Sequence, residues 1–250
     1  MKNITKITIL FFCLIIFIIF QSVFVENSGS NTTLIDLIND QQDTAAIELI
    51  NKGYLINSKN EYGYTPLHVA SMLGNNKIAE LLIKKGANLN AKSNQGIIPL
   101  ISASALSGKI STVKLLFDNM NDFNIKNNNN QSLLIQSVEL NDFYLLQNLL
   151  IKNIDINHKD KYGKTALHYA INKIEGDAKI DLKMDSNEIE EYKSNRYGIL
   201  LLLLNNNSDI NTTDNSGHSP LSLSKTHTDK NISIILLEKS FKNVIIRSEN

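Results

Sequence analysis

With 250 residues, an apolar share of 42% and 25 basic against 25 acidic side chains, the chain has ordinary globular composition and room for one or two domains. Zero net charge removes the strong global field that would draw it to nucleic acid or anionic lipid. A single cysteine, Cys13, rules out an internal disulfide framework.

The first segment, 1–26, differs in kind from the rest. Lys2 and Lys6 precede a run from Ile7 to Phe20 that is apolar but for Thr8, and Val23 to Val25 can extend it. A basic start before an apolar core of this length is the pattern of a secretory signal peptide. With the extension, the alternative reading of the same run is an uncleaved membrane anchor, a tether through residues 7–25. Cys13 lies inside the run behind Phe12, which does not fit the small residue that a lipidated cysteine requires. Positive charge at the start places the remainder outside the cytoplasm, whether secreted, periplasmic or anchored facing outward.

From Asn27 the sequence becomes periodic. Leu34, Ile35, Leu37 and Ile38, then Ala46, Leu49 and Ile50, predict two short helices in a first unit over 27–59. In the second unit, 60–92, Gly63 supplies a turn, Thr65 a helix cap and Pro66 the first helical position. Gly74 ends that helix. Ile78, Ala79, Leu81 and Leu82 recur at the spacing of a second amphipathic helix, which Gly86 closes. Such a pair of thin helices cannot bury its apolar faces alone and must stack on neighbours.

The landmarks Gly63-x-Thr65-Pro66-Leu67-His68-x-Ala70, then Gly74, Leu81-Leu82, Gly86-Ala87-Asn88 and Asn90, resemble the ankyrin repeat, whose period is about 33 residues. The resemblance implies an all-α ankyrin-repeat solenoid of stacked helix-turn-helix units with projecting β-turns. It runs over 27–240.

A third unit, 93–126, keeps Gly96, Pro99, Leu100, Ala103 and Gly108, with one residue more between Pro99 and Gly108 than between Pro66 and Gly74. The fourth, 127–159, is the most degenerate, and is expected to be the weakest: Asn130 and Asn141 stand for the two glycines and Leu133 for the proline. Asparagine tolerates the left-handed backbone, so the turns can survive. The fifth, 160–213, restores Gly163 and Thr165-Ala166-Leu167-His168, and carries about 21 extra residues near 174–195. There Ile189, Tyr192, Arg196 and Ile199 recur at helical spacing, so the second helix either starts early or follows a charged loop. Seven acids against three bases lie in the insertion. The sixth unit, 214–240, keeps Gly217, Pro220, Ile232 and Leu236, and 241–250 is a tail with Phe241, Val244, Ile245 and Ile246. All three prolines of the chain share one repeat position. An irregular core would scatter them.

Residues that could carry chemistry are few. His68 and His168 stand at one repeat position, and the resemblance makes them structural, bonding turn backbone between units. His218 and His227 have no cysteine or carboxylate at ligand spacing, so no metal or other cofactor is expected. There is no phosphate loop and no serine elbow. The resemblance points instead to the turn tips and first-helix ends as contacts for another protein: Glu61, Tyr62, Tyr64, Met72 and Leu73; Asn94, Gln95, Ile97 and Leu106; Asn128, Asn129 and Gln131; then Lys161, Tyr162, Lys164 and Lys173. Tyrosine is favoured at such contacts because it buries much area with few rotatable bonds. The expected function is a non-enzymatic protein–protein interaction scaffold, monomeric, exported, and without a nucleic-acid partner. The alternative is an enzyme or small-molecule binder on the same stack.

Overall fold

The computed structural model describes residues 32–105, 110–152, 154–177, 186–227 and 229–248, with side chains over 173–195 and 240–248 left aside. The N-terminal apolar run, Leu106, Gly108 and the middle of the insertion lie outside the described residues. Among the described residues no helix is long and apolar enough to cross a membrane.

The described helices alternate between two rows. The inner row is α1 (Leu34–Asn39), α3 (Pro66–Leu73), α5 (Pro99–Ser104), α7 (Leu133–Glu139), α9 (Ala166–Asp177) and α11 (Pro220–Thr226). The outer row is α2 (Asp43–Asn51), α4 (Asn76–Lys84), α6 (Ile110–Asn119), α8 (Phe143–Leu150), α10 (Ser186–Asn205) and α12 (Lys230–Ser248). Each inner helix packs on the next, α1 on α3 through to α9 on α11, and each on the outer helix that follows it. No strand forms among the described residues; one isolated antiparallel bridge joins Lys126 to Ser132.

The two rows differ because their neighbours differ. Flanked on three sides, α3 buries every residue from Pro66 to Met72. Facing solvent on one side, α4 buries only Ile78, Ala79 and Leu82. Leu67, Leu100, Leu134 and Leu167, one in each of the second to fifth units at one register position, are all fully buried, at most 1% exposed. Each such side chain contributes about 1.5–3 kcal/mol relative to exposure. The second unit alone cannot gain that stabilisation, since α3 is enclosed by α1 on one side and α5 on the other.

Capping sets where the helices begin. Thr65 accepts from the His68 amide while the His68 ring accepts from the Thr65 amide, and Pro66 holds the first helical position. Thr33 with Asp36 and Ser219 with Ser222 build the same box, each worth about 1 kcal/mol. In the fourth unit Ser132 caps alone, through the Ile135 amide. The third unit is the poorer one: Ile98 stands at the cap and makes no side-chain bond.

The asparagines at glycine positions behave as the sequence predicts. Asn130 and Asn141 have φ of 58° and 56°. The insertion is partly helical: α9 continues to Asp177 and α10 is already formed at Ser186. The last helix, α12, runs unbroken across residue 240, where the sequence places the start of a tail. Its apolar spacing continues from Ile232 and Leu236 through Phe241, Val244 and Ile245, and nothing in that stretch stops a helix.

Candidate functional site

Each projecting turn is stapled from inside by its own first residue. Asn60 Oδ1 accepts the Tyr62 and Tyr64 amides at 3.1 and 2.9 Å. Ser93, Asn127, Asp160 and Asp214 repeat the two bonds at the same offsets. Short polar side chains bond backbone two residues on with little entropic loss, which makes them turn formers.

Consecutive turns are then tied together. The Asn94 amide donates to the Tyr62 carbonyl at 3.0 Å, Lys161 to Asn129 at 3.0 Å and Asn215 to Tyr162 at 3.0 Å. Side chains add rungs: Asn94 Nδ2 donates to Glu61 O at 2.8 Å, Asn128 to Asn94 O at 2.8 Å and Asn215 to Lys161 O at 3.2 Å. The approach is so close that a Cβ on Gly63 would meet Asn94 N at 2.7 Å, and one on Gly96 would meet Asn128 N at 2.7 Å. Both glycines also have φ near +80°, so the turn demands glycine twice over. At the fourth turn the glycine is replaced by Asn130, and the next tip carries Lys161 at the position of Glu61, Asn94, Asn128 and Asn215.

Behind the tips, the paired histidines brace the units. His68 Nδ1 accepts from the Thr65 amide and hydroxyl at 3.1 and 2.8 Å. It is therefore unprotonated, leaving Nε2–H to donate to the Ile97 carbonyl of the next unit at 3.0 Å. His168 does the same with Thr165 and the His218 carbonyl. Burial pushes the His68 pKa down to about 4 and lowers that of His168. Both rings act as neutral braces, the role the resemblance assigned them.

Several residues expected as contacts are taken up by the fold. Met72 is only 8% exposed and belongs to the core, because α3 is enclosed on its α1 and α5 sides. That corrects its place among the rim residues. Tyr64 is half-buried with its ring 5.4 Å from His68, Ile97 is half-buried, and Leu73 packs against the core. Asn94 is exposed, but its side-chain amide is a rung, as is that of Asn128. Gln131 is buried and bonds the Tyr169 hydroxyl. Lys164 is partly buried, its ammonium 5.8 Å from the Tyr169 ring. The side chains of Leu106 and Lys173 lie outside the described residues.

Four expected residues remain exposed: Glu61, Gln95, Tyr162 and Lys161, whose ammonium also donates to Asn129 Oδ1 of the preceding turn, with Tyr62 partly exposed. Tyr162 is 50% exposed and Lys161 lies 4.9 Å over its ring, a cation–π contact that holds both side chains upright. The sequence reading missed the staples and rungs. Asparagine in a turn looks the same whether its amide faces water or a neighbouring carbonyl, and only the recurrence of Asn or Asp as first turn residue hinted at it.

No catalytic constellation forms among the described residues. A shallow depression lined by Phe123, Lys126, Ser132, Ile154, Asp155 and His158 holds about 90 Å³, against about 300–1,000 Å³ for ordinary ligand pockets. No group of three or more His, Cys, Asp or Glu among the described residues is placed to hold a metal.

A stack of helix pairs with hydrogen-bonded turns along one edge defines a repeat solenoid. The repeats are ankyrin repeats: the sequence model for a single ankyrin repeat matches residues 62–94, and that for three copies matches 100–180. An ankyrin repeat domain from Acinetobacter baumannii AYE superposes with a TM-score of 0.68 at 26% identity, covering 84% of this chain and 99% of that one. The ankyrin repeat protein EF0377 matches in fold with a TM-score of 0.68 at 23% identity, covering 84% of this chain and 98% of its own. Among relatives in sequence, the ankyrin repeat protein FPV115 of fowlpox virus (strain NVSL) is 32% identical over 126 residues, half of this chain and 22% of its own length. One from Rickettsia felis is 24% identical over 235 residues, 86% of this chain and 52% of its own. The chain spans about a fifth of the length of the fowlpox relatives it matches.

Proposed function

We propose that this chain is a non-enzymatic scaffold that binds another protein through its turn edge, outside the cytoplasm, as a monomer. The observation that carries the reading is a ladder of turns locked to one another by backbone and side-chain bonds, from which Glu61, Tyr62, Gln95, Lys161 and Tyr162 project. A rigid edge loses little entropy by ordering on binding, and exposed tyrosines add area at low rotamer cost. Export rests on Lys2 and Lys6 ahead of the apolar run Ile7 to Phe20. The catalytic alternative gains no support, since no cleft with convergent polar groups accompanies the ladder among the described residues.

The test is capture from the medium or envelope fraction with the immobilised protein, compared with Tyr62→Ala/Tyr162→Ala. A specific protein retained by the parent and weakened tenfold or more by the pair, with helical content unchanged, is the expected result. Equal retention by both would move the contact away from the turn edge.

A further inference from the structure

The loop that ends the first unit breaks a rule kept by the four units that follow. Two positions before the closing asparagine stand Asn88, Asp122, Asp155 and Asp209. Each accepts the amide of that asparagine, at 2.9, 2.9, 3.0 and 2.8 Å. The first unit has Leu55 there, whose side chain can accept nothing. Its backbone is left-handed, φ 55°, a conformation none of its four counterparts adopts and one that costs a leucine roughly 1–2 kcal/mol. Beside it Tyr54 takes the position of the buried Ala87 and Ser208, yet Tyr54 is 59% and Leu55 45% exposed. A strained turn that holds two large apolar side chains in solvent asks for an occupant.

Position in the chain suggests one. Only Asp40, Gln41 and Gln42 separate α1 from α2, so α2 folds back along α1 and its far end lies where the chain comes into α1. Tyr54 and Leu55 thus sit at the end of the first unit where the chain enters at Thr33. From Val25 to Thr33 are eight residues, which reach at most about 28 Å. Lys52, paired with Glu48 at 2.7 Å, is exposed beside the loop, and Lys85 donates to Asn51 O at 3.1 Å, so two lysines and one carboxylate flank it.

We propose that the Tyr54–Leu55 loop is a membrane-contact site that dips into the interfacial zone of an anionic bilayer. The inference rests on the reading of residues 7–25 as an uncleaved tether. Tyrosine at headgroup level with leucine below it and lysines alongside is the composition that interface favours. The short tether supplies the effective concentration that lets so small a contact hold.

The chain has no tryptophan, so Tyr54→Trp makes a single-probe protein. The full chain is reconstituted in phosphatidylcholine vesicles containing phosphatidylglycerol, with and without brominated acyl chains, and washed at alkaline pH. A Tyr54→Trp chain that stays with the vesicles, and whose indole emission is blue-shifted and quenched at least twofold by brominated lipid, supports the inference. Tyr162→Trp, on the fifth turn, should show neither change. Leu55→Asn added to Tyr54→Trp restores the turn bond of the other units; it should raise the melting temperature while at least halving the quenching, a split that a purely structural loop would not give. A retained Tyr54→Trp chain whose emission stays water-like overturns the loop contact and leaves the tether standing. A blue shift that follows protein concentration and ignores brominated lipid overturns it too, assigning the loop to a second copy instead. Release by the alkaline wash refutes the tether, and the loop contact falls with it.

Discussion

His68 shows how much one ring can do when both its nitrogens are committed. Nδ1 closes the cap of α3 and Nε2 crosses to the next unit, so the side chain is structural in two directions and free in none. A proton on Nδ1 would break the cap bonds inside a buried site. Burial holds its folded pKa at about 4, below the ordinary 6.5. The unfolded chain therefore takes up the proton first. The brace is complete above about pH 6.5 and is lost as pH falls from there to about 4, a loss on the order of 3 kcal/mol by linkage. His168 shifts in the same direction and adds to the slope. Urea unfolding between pH 7 and pH 4 should show stability falling on acidification, with the slope clearly reduced in His68→Asn; a flat profile, or one unchanged by the substitution, would mean the ring titrates in water. This histidine was legible in the sequence because it stands at one position twice, each time after a threonine. Met72 was misplaced at the same level of reading, since nothing in an eight-residue segment says that its helix is enclosed on several sides.

Between elements, a tyrosine hydroxyl links the fourth and fifth units. The Tyr169 hydroxyl donates to Asp160 Oδ2 at 2.6 Å and accepts from Gln131 Nε2 at 3.2 Å, while Asp160 Oδ1 staples its own turn. Burial first, and then the bond to Asp160, drives the tyrosine pKa far up, so the hydroxyl stays a donor. Asp160 itself is 5% exposed. Tyr169→Phe keeps the ring and leaves a buried carboxylate oxygen without its partner, so it should cost about 1–3 kcal/mol. Thermal or urea unfolding checks this, and a cost below about 0.5 kcal/mol would show that water replaces the hydroxyl. The sequence marks the fourth unit as degenerate because its glycines and proline are missing, and expects it to be weak. The structure shows side chains in their place: Asn130 and Asn141 take the left-handed turns, Ser132 caps α7, and Gln131 reaches the next unit. Substitutions of that kind do not resemble the residues they replace, so periodicity sees the loss and not the replacement. The missing cap of the third unit went unnoticed for the opposite reason, because Gly96 and Pro99 kept the expected outline.

Across the whole molecule, stability is a sum of unit energies and nearest-neighbour interfaces, and the turn edge is one continuous consequence of stacking. The helix pairs and the turn glycines among the described residues could be read from the period. The edge as a bonded ladder could not, because its rungs run between residues about one period apart and use amides that look solvent-facing in a single unit. That ladder is what makes the turns a fixed platform in place of a row of loops, and the proposed function depends on it. Amide hydrogen exchange read residue by residue tests it most directly. If the turns are locked, the Asn94, Lys161 and Asn215 amides, each donating to the preceding turn, exchange only with opening of the units they join, with protection at least about a hundredfold above that of an open loop and comparable to α3 and α9. Exchange of those three amides at the rate of unstructured backbone, while the helices stay protected, would contradict the ladder and the platform built on it.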